Sequence, residues 1–157
     1  MDDLNIIPQE IQDEQLNQAL EAMYFGFKAI IAKPDQHLAT LNLSRVHHRI
    51  LYFIARNSQL SVKELLTKLD VSKQYIHQPM RKLIEEAYVL AEPDLADRRI
   101  KRLSLTTKGS TLEVQLSGIQ REQFKEVFEQ VGKEAEKNWK HVMKVLIHKT
   151  DLPPSTT

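Results

Sequence analysis

The stretch VSKQYIHQPMRKLIEEA, residues 71–87, decides how this chain is read. Its apolar residues recur at helical spacing. At about 100° per residue, Ile76, Met80, Leu83, Ile84 and Ala87 fall within one sector of a helix wheel. Gln74, His77, Gln78, Arg81 and Glu85 take the opposite side. Ser72 is a good N-cap, because its hydroxyl can accept a bond from a free backbone N–H of the first turn. Pro79 stands mid-helix, where it removes the bond to the Tyr75 carbonyl at a cost of ~3 kcal/mol in an ordinary interior. It falls on the flank between the two faces, so both faces survive it. A small kink there is expected to set the angle of the first two turns.

Upstream, the run SVKE places Glu64 three residues after Ser61, the spacing of a capping box. Leu65, Leu66 and Leu69 follow, and that helix stops at about Asp70. Three residues, Asp70 to Ser72, separate it from the next helix. An earlier helix is predicted from about Ser44 to Arg56, with Val46, Ile50, Leu51, Phe53 and Ile54 apolar. The first is predicted from about Gln9 to Ala32 and is expected to end at Pro34 and Asp35.

Downstream, the periodicity changes. YVLAEPD and RIKRLSLT read as two strands around a polar turn, a β-hairpin directly after a helix. A helical pattern resumes near Thr106 and breaks at Gly132. A last helix runs from Lys133 to about His148, and residues 149–157 read as a disordered tail.

Helix, short turn, helix and hairpin is the winged helix-turn-helix order. In it the second helix enters the major groove of DNA and the hairpin lies against the adjacent minor groove or backbone. The expected fold is therefore mainly α with a small β-hairpin wing. The outer face of the second helix suits base edges, since Gln pairs with adenine and Arg with guanine through two bonds. Ser72 and Lys73 stand at its N-terminus, where free N–H groups favour a phosphate. An ordinary amphipathic helix with a solvated face fits this helix equally well in isolation. The basic hairpin that follows favours DNA.

Composition sets outer bounds. The 157 residues are 41% hydrophobic and 27% charged, as in ordinary globular proteins. With no cysteine, disulfides and thiolate metal sites are excluded. No apolar run approaches the ~20 residues that span a bilayer. The N-terminal MDDLNIIPQE lacks the layout of a secretory signal, so a cytoplasmic location is expected. Residues 1–36 carry seven acids against two lysines, net −5, while residues 72–108 carry eight bases against five acids, net +3. Positive charge is thus concentrated mid-chain, a weak footprint for a polyanion.

The segment DLADRRIKRLSLTTKG, residues 94–109, resembles the wing of the multiple-antibiotic-resistance regulator (MarR) family. The family pattern is Asp-x-Arg, five residues, Leu-Thr, two residues, Gly. Asp97, Arg99, Leu105, Thr106 and Gly109 occupy those places without gaps. The resemblance extends in element order over about residues 10–148. It implies a single domain, with a DNA-binding lobe at about 44–108 and dimerisation helices at about 9–33 and 109–148. It also implies a homodimer on a pseudo-palindromic operator in double-stranded DNA, and repression relieved by a small-molecule effector. Arg99 would be the wing-tip arginine of the minor groove, with Asp97 orienting it, and Thr106 would cap the next helix. Arg98, Lys101 and Arg102 read as backbone contacts or solvated charge. In a strand of period two, Arg98 and Arg99 should not both face the groove.

Two features depart from the family. Many members have glycine where Ala87 or Tyr88 stands. A side chain there either avoids the left-handed conformation or tolerates about 1 kcal/mol of strain. The other departure is Pro79.

His47 and His48 are adjacent and point about 100° apart on a helix, so they do not converge on one ion. The expectation for them is packing, solvation or the lining of an effector pocket. Phe128 and Trp139 read as dimer core. No nucleophile motif, phosphate loop or metal spacing appears, and no enzymatic activity, cofactor or metal is expected. The competing reading is a winged-helix module that binds protein and not DNA.

Overall fold

The computed structural model describes residues 8–149. Its elements run α1 (Gln9–Thr40), α2 (Arg45–Arg56), β1 (Leu60–Ser61), α3 (Val62–Leu69), α4 (Lys73–Glu85), β2 (Val89–Pro93), β3 (Lys101–Leu105), α5 (Thr107–Val131) and α6 (Lys133–Lys149). The tail expected to be disordered lies almost wholly outside the described residues. These residues form two compact units, one up to Gln120 and one from Arg121 onward, with the divide falling within α5.

The first unit holds the winged helix-turn-helix. Its core joins Leu38 of α1, Ile50, Leu51 and Ile54 of α2, Leu65 of α3, Ile76 and Leu83 of α4, Leu103 of β3 and Leu116 of α5. Each such side chain taken fully from water contributes about 1.5–3 kcal/mol. The capping box of α3 forms as its spacing predicts, with the Ser61 N–H donating to Glu64 Oε2 at 2.7 Å and the Glu64 N–H to Ser61 Oγ at 3.1 Å. Asp70, in the left-handed conformation at φ 51°, closes α3 and turns the chain toward Ser72.

One expectation is corrected. α1 does not stop at Pro34 but continues to Thr40, with Pro34 buried inside it. Proline removes the donor that would bond the Ile30 carbonyl. The Gln120 side chain supplies another, donating to Ile30 O at 3.3 Å. Beyond the proline, Leu38 is fully buried and Asp35 pairs with Arg45 at 3.0 Å, so the last turns of α1 are held by packing. The expected hairpin forms and gains a third, two-residue strand, in the order β1-β3-β2, because Leu60 and Ser61 pair with Leu103 and Arg102. The hairpin pairs Val89 with Leu105 through Pro93 with Lys101.

In the second unit, Phe124, Phe128 and Trp139 form one aromatic cluster, with ring centroids 5.3–5.6 Å apart. Gly132, at φ 89°, makes the break between α5 and α6 as expected. No described residue of α6 is buried, and Trp139, Val142 and Leu146 are exposed.

Candidate nucleic-acid interface

α4 presents the two faces that its periodicity predicts. Ile76, Met80 and Leu83 are buried, while Ser72, Lys73, Gln74, His77, Gln78 and Arg81 are exposed. The apolar seam is narrower than expected, since Ile84 and Ala87 are also exposed near the helix end. The Ser72 hydroxyl caps the helix by accepting from the Tyr75 N–H at 3.3 Å. α4 runs unbroken through Pro79, which is half-buried on the flank. Arg81 is paired with Glu85 at 2.6 Å, but both side chains are more than half exposed. Such a surface pair holds its arginine only weakly.

The wing turn is built on two carboxylates. Asp94 Oδ2 accepts from the N–H groups of Ala96 and Asp97, both at 3.0 Å. Asp97 then grips Arg99 three times. Its Oδ1 accepts from the Arg99 backbone N–H and from Nε, and its Oδ2 from Nη2, each at 3.1 Å. The Arg99 side chain bonds hold the Asp97 carboxyl below the usual carboxylate range, with help from the Arg99 backbone N–H. Arg99 nevertheless remains 91% exposed, so its charge is aimed but not hidden.

Arg98 and Lys101 are exposed. The expected alternation of Arg98 with Arg99 does not apply, because both lie in the turn and β3 begins only at Lys101. Arg102 is more engaged than a solvated charge: its side chain is 29% exposed and Nε donates to Asp94 Oδ1 at 2.8 Å. Nη1 reaches the Gln59 carbonyl and Glu64 Oε2, each at 3.4 Å.

The rest of the motif joins the wing to α5. The Thr106 N–H donates to the Tyr88 carbonyl at 3.1 Å, and the Thr106 hydroxyl donates to the Ala87 carbonyl at 2.6 Å. That hydroxyl also accepts the Gly109 N–H at 3.0 Å, which is the predicted cap. A Cβ on Gly109 would stand 2.0 Å from the Tyr88 carbonyl oxygen, so only glycine fits there. Ala87 itself adopts φ 58°, so the chain tolerates the left-handed strain that glycine would avoid.

The two histidines part company. His47 Nδ1 accepts the Ser44 N–H at 2.9 Å and serves the start of α2. The Ser44-x-x-His47 spacing is that of a capping box, a signal available in the sequence with histidine in place of glutamate. His48 is buried, its Nε2 lies 3.2 Å from Ser117 Oγ, and that hydroxyl donates to Glu113. His48 also lines a cavity of about 200 Å³ with Phe27, Ile31, Arg45, Arg49, Tyr52 and Gln120. His47 does not line it. Burial, more than any neighbour, holds both imidazoles below the usual histidine range.

Residues 41–100 match the profile of the MarR family. Over 137 residues the chain is 34% identical to the HTH-type transcriptional regulator PetP of Rhodobacter capsulatus, covering 87% of this chain and 82% of the relative. The chain belongs to the MarR family. Two crystal structures share the MarR fold. A complex of S. aureus MepR with DNA aligns at TM-score 0.70 and 18% identity, over 82% of this chain and 96% of that one. A further MarR family transcription regulator aligns at TM-score 0.74 and 15% identity, over 91% and 94%. The named relatives of this MarR-family chain are regulators, in keeping with the expectation that it is no enzyme. Among the described residues, no helix is long and apolar enough to cross a membrane.

Sequence reasoning missed the part played by Arg102 and Asp94 in this MarR-family wing. Arg102 meets Asp94 eight residues away and Glu64 thirty-eight residues away, and no local pattern announces such pairs.

Proposed function

We propose that the chain is a homodimeric transcriptional repressor that binds a pseudo-palindromic operator in double-stranded DNA and is released by a small molecule. The observation that carries the DNA reading is the wing tip. Arg99 is almost fully exposed, yet three bonds from Asp97 fix it. An exposed ion pair adds little to stability. Its value lies in presenting a planar cation where a narrow minor groove concentrates negative potential. Gln74, His77, Gln78 and Arg81 would face base edges in the major groove. Ser72 and Lys73 would hold a phosphate at the α4 N-terminus, and Arg98 and Lys101 would follow the backbone.

The dimer reading rests on apolar surface. Leu16, Leu20, Met23 and Phe25 of α1 are exposed, and so are Val142 and Leu146 of α6. Faces of this kind mark a partner surface. The effector reading rests on the cavity beside His48. A ligand there would release DNA only by binding better to the conformation that does not fit the operator.

The test is Arg99→Ala. It should weaken operator binding and flatten the salt dependence, since phosphate-linked cations make log K fall with log salt. Circular dichroism and sedimentation should stay those of the parent. Unchanged affinity at physiological salt would remove the wing from the interface. Gln78→Ala should instead relax base preference, at about 1–3 kcal/mol for a lost contact.

A further inference from the structure

We propose that Arg102 is a positioning residue: it ties the aim of Arg99 to the first helix of the helix-turn-helix, and it is not itself a DNA contact. The inference deepens the operator reading of the wing and rests on it.

Arg102 sits on the central strand, opposite Glu92 of β2 and Ser61 of β1. From there one guanidinium reaches two carboxylates that already organise backbone on either side. Toward the wing, Nε donates to Asp94 Oδ1 at 2.8 Å. The other oxygen of Asp94 holds the N–H groups of Ala96 and Asp97, so it shapes the turn from which Asp97 grips Arg99. Toward the helices, Nη1 meets Glu64 Oε2 and the Gln59 carbonyl, more loosely, at 3.4 Å each. Glu64 Oε2 is the same atom that accepts the Ser61 N–H and starts α3. α3 in turn leads through Asp70–Ser72 into α4.

A continuous chain of bonds therefore runs from the start of α3 through Glu64, Arg102, Asp94 and Asp97 to Arg99. Each link is partly exposed, so the chain contributes little to stability. Its geometric effect is large, because a planar guanidinium fixes two acceptors relative to each other, which a lysine ammonium does not. Two of the three guanidinium nitrogens of Arg102, Nε and Nη1, already point at protein acceptors, which leaves Nη2 alone for a phosphate.

The experiment is a double-mutant cycle on the full chain: parent, Arg99→Ala, Arg102→Ala and the double variant. Affinity is measured on a duplex enriched from random DNA by the parent, with hydroxyl-radical footprints of each complex for the minor groove and dimethyl-sulfate protection of guanine N7 for the major groove. Arg102→Ala should weaken binding about five-fold, a coupling typical of residues in one network. It should lose minor-groove protection at the site's flanks and keep major-groove protection. In the Arg99→Ala background it should cost nothing more, and Arg102→Lys should not restore the flanks. If Arg102→Ala loses its fold by circular dichroism, Asp94→Asn cuts the same link from the wing side and is read in the same cycle. Additive losses, or intact flank protection in the Arg102 variants, would overturn the proposal alone. An Arg99→Ala variant that binds like the parent would overturn the DNA reading of the wing, and this proposal with it.

Discussion

Adding one methyl group at Gly109 should unseat the junction between wing and α5. A Cβ there would lie 2.0 Å from the Tyr88 carbonyl oxygen, 2.9 Å from its carbon and 3.3 Å from its Cα. Ordinary non-bonded contact needs about 3.5 Å, so backbone must move by about 1 Å or more. The atom in the way is not free to move. The Tyr88 carbonyl accepts the Thr106 N–H at 3.1 Å, and Tyr88 is itself buried in the core. Overpacking of this kind costs about 1–3 kcal/mol, and each strained or lost hydrogen bond adds about 1 kcal/mol. Gly109→Ala should therefore destabilise the protein by about 2–4 kcal/mol. For a chain of this size that is a fall in Tm of roughly 5–15 °C. The assay is urea unfolding followed by circular dichroism at fixed protein concentration, with operator affinity measured below the transition. A variant within about 0.5 kcal/mol of the parent would show that the Tyr88 carbonyl is not fixed where the close approach requires.

Ala87→Gly should act in the opposite direction. The left-handed conformation at φ 58° costs an L-residue about 1–2 kcal/mol, and glycine returns about 0.4–1 kcal/mol through unfolded-state entropy. A net gain of about 0.5–1 kcal/mol in urea unfolding is expected, and a loss would contradict the strain. Acidification should destabilise the fold through His47 and His48. Burial lowers both folded pKa values, so below about pH 6.5 the unfolded chain binds more protons than the folded one. Stability is full above about pH 6.5 and falls as pH drops toward the folded values. Unfolding free energies that are equal at about pH 7.5 and pH 5.5 would contradict this. Protonation also removes the acceptor that His47 Nδ1 offers to the Ser44 N–H.

The helix-turn-helix was legible because its signals are local. The Ser61-x-x-Glu64 box, the Ser72 cap and the spacing of Ile76, Met80 and Leu83 lie within a few residues of what they specify. The first helix was under-read because Pro34 is a local stop signal. What overrides it is distant, namely Gln120 bonding the freed Ile30 carbonyl and the burial of Leu38. β1 has two residues, too few for any alternation to show. At the candidate interface, the exposed face of α4 and the Asp97–Arg99 pair could be read from pattern and family likeness. The bonds of Arg102 could not, because β1 pairs beside β3 and brings Gln59 and Glu64 to it from far away in the sequence. The fates of His47 and His48 also differ for a non-local reason, since the partner of His48 is Ser117, far along α5.

Whether this chain reads operator DNA as a symmetric dimer is decided by enriching random duplexes on the purified protein and sequencing what is retained. A symmetric dimer should retain an inverted repeat whose half-sites are centred about one helical turn apart, or a multiple of it. Retained sequences indistinguishable from the input pool, or a single asymmetric site, would contradict it.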